Sequence, residues 1–177
     1  MTLVVFLRGL NVGGHRTFRP TVLAGQLRHL DAVNIGATGT FVIRQPGSRA
    51  QLRVEIARRL PFDAGIVICQ GREIVRLVSQ NPFATYPVRG DIVRFVSVLA
   101  RVPRTSPSLP MTLPPQGKWL VKVLARDERF VLGLYRRHMK VISYLGMLDK
   151  LFGVPATTRS WTTITAIARV LQSAEGD

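Results

Sequence analysis

The chain has 177 residues, of which 46% are hydrophobic, so a sizeable core is expected and wholesale disorder is excluded. Its formal net charge is +15, and only four of its 25 basic residues are lysine. No apolar run approaches the roughly 20 residues that cross a membrane, so we expect a cytoplasmic protein with no membrane partner. The single cysteine, Cys69, excludes an internal disulfide and a zinc site built from cysteines.

The first 70 residues predict the element order βαββαβ, which is typical of a ferredoxin-like fold. Short apolar runs predict four strands, and Pro20 suits the first position of the first helix. The second helix has an apolar stripe and ends before Pro61. The predicted strands are 3–7, 32–35, 40–44 and 65–69, and the second helix is 49–60.

The second half of the chain predicts a smaller α+β subdomain. A helix over 72–80 closes the first part. Residues 103–116 contain five prolines and predict a loop. A strand at 92–100, a hairpin of 119–124 and 129–135, and helices at 141–151 and 161–172 are predicted around it. Ser143 is expected to cap the first of these helices and Gly153 to close it. We therefore expect an α+β fold with subdomains 1–82 and 83–177 in one compact unit.

Three stretches in this order and spacing are specific: LRGLNVGG, GREIVRLVSQNPF and LFGVPATTRSWTTI. With them the chain resembles the bacterial family called domain of unknown function 1697, from Val4 to about Leu171. The resemblance implies two α+β subdomains, the first ferredoxin-like, and no assigned activity. This chain departs from the family at 38–40, Thr-Gly-Thr where Ser-Gly-Asn is usual. It also lacks the glycines and lysine of a Gly-x-Gly-x-Ser-Lys-Leu run near MKVISYLGML, where Lys140 is a candidate substitute.

The glycine-rich turn after the first strand has two interpretations. It matches neither a Walker loop nor a dinucleotide loop. One interpretation is a tight turn in which the glycines take positive φ. The other is an anion site in which backbone N–H groups act together with nearby cations. The residues involved are Arg8, Asn11, Gly13, Gly14 and Arg16, with His15 beside them.

The stretch ATTRSWTT also has two interpretations. Ser160 or Thr158 can cap a helix that begins at Trp161, whose side chain then belongs to the core. Alternatively, Thr158 and Arg159 bind an anion at the positive end of that helix.

The +15 charge attracts polyanions, but an arginine-rich composition spread along the chain is the slightly favoured explanation for it. A third candidate surface is the first sheet, where Phe6 and Arg8 share a face as in RNA-recognition domains. The basic-glycine-aromatic opening of that motif is missing before Phe41, which favours a core position for both phenylalanines.

The sequence contains few of the residue patterns that are typical of enzyme active sites. His15, His29 and His138 have no metal-ligand spacing, and there is no nucleophile elbow. We therefore expect no catalytic residues, no metal and no cofactor. The leading hypothesis is non-catalytic binding of nucleic acid or a phosphorylated small molecule through the 8–16 turn and the 157–161 segment.

Two alternatives stay open. One is an enzyme that acts on a phosphorylated metabolite in a pocket between the subdomains. The other is an interaction module that uses the 103–116 loop and an exposed apolar patch beside it. No pattern in the sequence indicates an oligomeric state.

Overall fold

The computed structural model describes residues 1–9 and 18–173. These residues form an α+β fold with two antiparallel sheets. The chain divides into two compact units. The first contains Met1–Gln80 together with the chain from Thr165 onward, and the second contains Asn81–Ile164. Within the described ranges, no helix is both long and apolar enough to cross a membrane.

The first unit contains a four-stranded sheet with the strand order β2-β3-β1-β4, in which every neighbouring pair is antiparallel. A short 3₁₀ helix follows the first α-helix. In chain order the elements are β1 Leu3–Arg8, α1 Pro20–Gln26, the 3₁₀ helix Arg28–Leu30, β2 Ala32–Ile35, β3 Thr40–Ile43, α2 Arg49–Arg59, β4 Gly65–Gln70 and α3 Gly71–Ser79.

One face of this sheet packs on α1 and α2. Leu3, Val5 and Leu7 of β1 alternate onto that face, where they join Leu23 and Leu52 in a buried cluster. Helix α2 begins where a capping box fixes it: the Gln51 N–H donates to Ser48 Oγ at 3.1 Å, and the Ser48 N–H donates to Gln51 Oε1 at 3.3 Å.

The opposite face of the same sheet is also buried. Val4, Phe6 and Val42 have no exposed surface, and Cys69 beside them is buried and forms no disulfide. The hypothesis of an exposed aromatic face for RNA is therefore wrong for these residues, since a strand apolar at every position is buried on both sides.

The second unit contains a five-stranded sheet with the order β6-β7-β8-β5-β9. Its last helix begins in this unit and continues into the first unit from Thr165. In chain order the elements are β5 Ile92–Leu99, β6 Met111–Leu113, β7 Val121–Asp127, β8 Phe130–Arg136, α4 Val141–Gly146, α5 Leu148–Phe152, β9 Ala156–Ser160 and α6 Trp161–Ser173.

Two predicted irregular segments are strands. Part of the 103–116 loop is β6, a three-residue edge strand in which Leu113 lies opposite Val121 of β7. The segment before α6 is β9, which pairs with β5. Both strands are short, and neither has a strong apolar alternation of its own. They are strands because pairing with a neighbouring strand stabilises them.

The predicted helix over 141–151 is two helices that meet at Met147. Lys140 occupies the N-cap position, so the prediction that Ser143 caps this helix is wrong. The prediction for its end is confirmed, because Gly153 ends α5 with φ +67°, the left-handed conformation that glycine adopts without strain.

Gly133 of β8 lies where the backbone leaves no room for a side chain. A Cβ there would lie 2.4 Å from Phe95 Cζ and 2.6 Å from the Lys122 carbonyl oxygen. This close approach lets the Phe95 ring of β5 cover β8 directly.

Candidate anion-binding site

The predicted turn after β1 is only partly described. Arg8 is the last residue of β1, half-buried and opposite Gly65 of β4. Asn11, Gly13, Gly14 and Arg16, and His15 with them, lie outside the described residues. Arg8 belongs to the first unit, whereas Thr158 and Arg159 belong to the second.

Thr158 and Arg159 lie in β9, not in a loop before a helix. The Thr158 and Ser97 hydroxyl oxygens are 2.6 Å apart across the β5–β9 pair. Arg159 is 9% exposed, and its Nη1 donates to the Thr158 carbonyl oxygen at 2.9 Å. Burial lowers the pKa of Arg159 to about 10, so this guanidinium is still charged at neutral pH. Little of its surface is available to a ligand from outside.

The start of α6 is capped by Ser160. Its Oγ accepts a hydrogen bond from the Thr163 N–H at 3.3 Å, as the capping interpretation predicts. Trp161 is a core residue, 7% exposed, and its ring meets that of Phe83 edge-on with 5.0 Å between centroids. For Ser160 and Trp161, the structural interpretation of ATTRSWTT is confirmed.

A basic cavity that the sequence analysis missed lies in the second unit. Its volume is about 380 Å³. Three cationic side chains and a histidine line it, together with one carboxylate and one leucine. The lining residues are Asp91, Lys118, Leu120, Arg136, Arg137 and His138.

Strand pairing brings these residues together. Ile92 of β5 lies opposite Arg136 of β8, so Asp91 lies beside the end of β8. Val121 of β7 lies opposite Tyr135, which places Lys118, three residues before β7, at the same end of the sheet. The cavity is thus built from the ends of three adjacent strands.

Arg136 is held in place by three contacts. Its Nε donates to the Trp119 carbonyl oxygen at 2.8 Å, and its guanidinium carbon lies 4.0 Å from the centroid of the Trp119 ring. Its Nη1 lies 3.9 Å from Asp91 Oδ2. A planar guanidinium over an indole face is a favourable cation–π arrangement, so this charge is fixed before any ligand arrives.

Two more arginines surround Asp91. Arg89 donates from Nε and Nη2 to the two carboxylate oxygens, both at 3.0 Å, and Arg137 Nε donates to the Gly90 carbonyl oxygen at 2.9 Å. Desolvation raises the pKa of Asp91, but its own backbone N–H and the Arg89 guanidinium outweigh that, so the pKa lies below its ordinary value.

We call Arg89, Asp91, Lys118, Trp119, Arg136 and Arg137 the Arg136 cluster. It contains three guanidiniums and one ammonium against a single carboxylate. The carboxylate stays ionised and still leaves a surplus of positive charge. The arrangement can hold an anion of more than one charge, such as a phosphate group.

The cluster is assembled from short pieces of sequence: RGD at 89–91, KW at 118–119 and RRH at 136–138. None of these pieces is a basic run, which is why a search along the chain misses them. The predicted hairpin contained the signal, because it places Lys118 and Arg136 at the same end of two paired strands. Among the described residues, no group of three or more histidine, cysteine or acidic side chains could hold a metal ion.

One family model matches the chain, over residues 1–108, and its description is "Protein of unknown function (DUF1697)". The match includes Arg89 and Asp91 of the Arg136 cluster but ends before Lys118. No curated protein and no solved structure matches the chain significantly.

Proposed function

This chain belongs to the DUF1697 family, whose description names no activity, and we propose that the protein binds phosphate-bearing partners, nucleic acid foremost, without catalysing a reaction on them. One observation carries the proposal: in the Arg136 cluster, three arginines and a lysine lie around one carboxylate. The net charge of +15 adds long-range attraction for a polyanion.

Arginine suits this role because its planar fork matches two oxygens of a phosphate at once. Hydrogen bonds to backbone carbonyls hold Arg136 and Arg137 in position, so little side-chain entropy is lost when a phosphate binds. Lys118 is exposed and adds a further positive charge.

The proposed recognition is of the backbone and does not depend on base sequence. Arg136 already covers the Trp119 ring, and Lys122 Nζ lies 6.0 Å from the same centroid, so this indole is occupied by cations. Phosphate contacts position a protein on nucleic acid but carry no sequence information.

Two finer proposals accompany this one. We propose that the first unit is ferredoxin-like, supported by its βαββαβ order and by the antiparallel order β2-β3-β1-β4. We also keep Arg8, with the turn that follows it, as a second proposed anion contact. Thr158 and Arg159 are weaker candidates because both take part in β9 and Arg159 is buried.

The test is a salt series with labelled single strands and duplexes of mixed sequence, in DNA and RNA forms. We expect log affinity to fall linearly with log salt, with a slope of about −0.9 for each phosphate neutralised on duplex DNA. The double variant Lys118→Gln, Arg137→Gln should make that slope shallower by about two. The matched control, Arg28→Gln with Arg58→Gln, removes two exposed arginines of the first unit and should leave a smaller change.

Three results decide the matter. A shallower slope only in the cluster variant supports the proposed site. A slope that changes only in an Arg8→Ala, Arg159→Ala variant that still unfolds cooperatively would move the site to the predicted residues and overturn the cluster. Absence of binding near physiological salt would overturn nucleic acid as partner, and nucleotides and sugar phosphates would then be screened by thermal stabilisation.

A further inference from the structure

A second cavity, separate in composition from the Arg136 cluster, lies within the first unit. Its volume is about 740 Å³, within the range of roughly 300–1,000 Å³ that small-molecule sites occupy. Residues from the chain start, the β4–α3 junction, α3 and α6 line it. They are Met1, Thr2, Gln70, Gly71, Arg72, Val75, Arg76 and Leu171.

The floor of this groove is set by Gly71. Strand β4 passes into α3 without an intervening loop, and the Gly71 N–H donates to the Thr2 carbonyl oxygen at 2.9 Å. A Cβ on Gly71 would lie 2.9 Å from Leu171 Cδ2, so Leu171 rests directly on the backbone of α3. A glycine at this position lets the Leu171 side chain form one wall of the groove.

The orientation of α3 determines which of its side chains line the groove. Ile74 and Leu77 are fully buried and hold one face of the helix against the core. Arg72 and Arg76 are four residues apart and lie one above the other on an exposed face, with Val75 half-buried beside them. Among the described residues that line the groove there is no carboxylate.

We propose that this groove binds a small amphipathic anion, a molecule with an apolar body and one carboxylate or phosphate group. Val75, Leu171 and Met1 offer apolar surface for the body. Arg72 offers a charge-assisted hydrogen bond to the anionic group, with Arg76 adding positive potential from the next turn. A nucleic-acid backbone has no apolar body to fill such a groove, so this proposal does not depend on the proposed function.

The test uses four probes with wild-type protein: octanoate, octyl phosphate, octanol and acetate, each titrated by calorimetry. We expect at least one of the two eight-carbon anions to bind, and octanol and acetate to bind at least about tenfold more weakly, since each lacks one half of the recognised chemistry. Whether octanoate or octyl phosphate binds more tightly distinguishes a carboxylate ligand from a phosphate ligand.

Two variants locate the site. Arg72→Gln should weaken anion binding at least about fivefold, because it removes the charge but keeps a polar, hydrogen-bonding side chain. Leu171→Asn should also weaken it, through loss of the apolar wall. The control Arg58→Gln removes another exposed arginine, from α2, and should leave affinity unchanged. Thermal unfolding of each variant establishes that it is folded.

The failures are distinguishable from those of the nucleic-acid proposal. Equal binding of octanol and octanoate, full affinity in Arg72→Gln, or no binding of any probe would each overturn the groove proposal. Lys118→Gln, Arg137→Gln should retain the octyl ligand, and Arg72→Gln should shift the nucleic-acid salt slope by much less than the roughly 0.9 that one lost phosphate contact removes.

Discussion

Two sets of arginines in the second unit have opposite surroundings. Arg129 and Arg159 are 6% and 9% exposed, and both donate hydrogen bonds to backbone carbonyl oxygens. Arg136 and Arg137 also bond to carbonyls, but they line a cavity that is open to a ligand. The comparison teaches that a net charge read from composition mixes two roles. Some arginines complete the hydrogen bonding of the fold, and others supply an accessible charge.

Arg129 illustrates the first role. Its Nε donates to the Leu99 carbonyl oxygen and its Nη2 to that of Ala100, both at 2.8 Å. These carbonyls lie where β5 ends. Buried carbonyl groups without a partner are costly, so the guanidinium replaces hydrogen bonds that the end of a strand lacks.

The largest effect on stability is expected from a substitution that disturbs the second sheet, which carries both sets of arginines. Gly133→Ala places a Cβ within 2.4 Å of the Phe95 ring and 2.6 Å of the Lys122 carbonyl oxygen. Overpacking of this kind should lower the free energy of unfolding by about 3 kcal/mol, measured by urea denaturation. Gly146→Ala is the control: its Cβ would meet nothing within 4 Å, and because Gly146 lies in α4 the change should leave stability unaltered or raise it by up to about 1 kcal/mol. A stable Gly133→Ala would show that β5 and β8 are less closely packed.

Next comes the arginine that completes the fold. Arg129→Met should lower the free energy of unfolding by about 2 kcal/mol, because the carbonyl oxygens of buried Leu99 and of Ala100 lose their donor. The salt slope for nucleic acid should stay as in wild type. If Arg129→Met changed the salt slope and left stability unchanged, the distinction between the buried arginines and the cavity-lining arginines would be wrong.

Arg136→Gln tests the other set. We expect affinity for a labelled nucleic-acid strand to fall about tenfold near physiological salt, with a salt slope shallower by about one. Arg136→Lys should recover part of the slope but not the affinity, because an ammonium lacks the planar stacking on Trp119. Full affinity in Arg136→Gln would exclude this residue as a phosphate contact.

Ser160→Ala separates a helix cap from an anion site in the 157–161 segment. Removing the Oγ that accepts from Thr163 should cost about 1 kcal/mol of stability and leave nucleic-acid binding unaltered. Ser143→Ala, at the exposed serine that does not cap α4, should be nearly neutral. Loss of binding with unchanged stability in Ser160→Ala would instead favour the anion-site interpretation.

The smallest effect on stability is expected at Glu55, which pairs with an arginine near the surface. Arg59 donates to Glu55 Oε1 at 2.9 Å, and His29 Nε2 lies 2.7 Å from the same oxygen. The Arg59 hydrogen bond, assisted by His29 and opposed by burial, holds the pKa of Glu55 below its ordinary value of 4.5.

A carboxyl group whose pKa is lowered by folding contributes stability. That contribution is fully present above the pKa of the unfolded chain and is lost as pH falls through the pKa of the folded protein. The free energy of unfolding at pH 7 should therefore be about 0.3 kcal/mol higher for wild type than for Glu55→Gln, a typical value for such a pair. That difference should vanish well below pH 4.5, as measured by denaturation at several pH values. A difference that is independent of pH would mean that packing, and not charge, distinguishes the two proteins.

Much of the fold could be predicted from local pattern. The runs at Leu3–Arg8 and Gly65–Gln70 are apolar enough to be strands in any setting, and Pro20 and Ser48 mark helix starts by their own chemistry. The strands β6 and β9 could not be predicted, because three and five residues of mixed polarity become strands only when a neighbour completes their hydrogen bonds.

The candidate site was less predictable still. Its cations lie on RGD, KW and RRH, and pairing of β5, β7 and β8 brings them together. Arg159 shows the converse error: in sequence it stands beside two hydroxyls before a helix, yet the pairing of β9 with β5 buries it. Exposure of an arginine depends on long-range pairing, which neighbouring residues do not encode.

Helix α6 makes the first unit discontinuous in the chain. Along the sequence, residues Asn81–Ile164 of the second unit separate the two parts of the first, and Leu171 from the later part contacts Gly71 from the earlier part. During synthesis, therefore, every residue of the second unit is made before the first unit can complete its own packing. The stretch matched by the family model, residues 1–108, contains neither unit in full. On the ribosome, the first unit should therefore be completed only after α6 has emerged, although most of its residues are synthesised first.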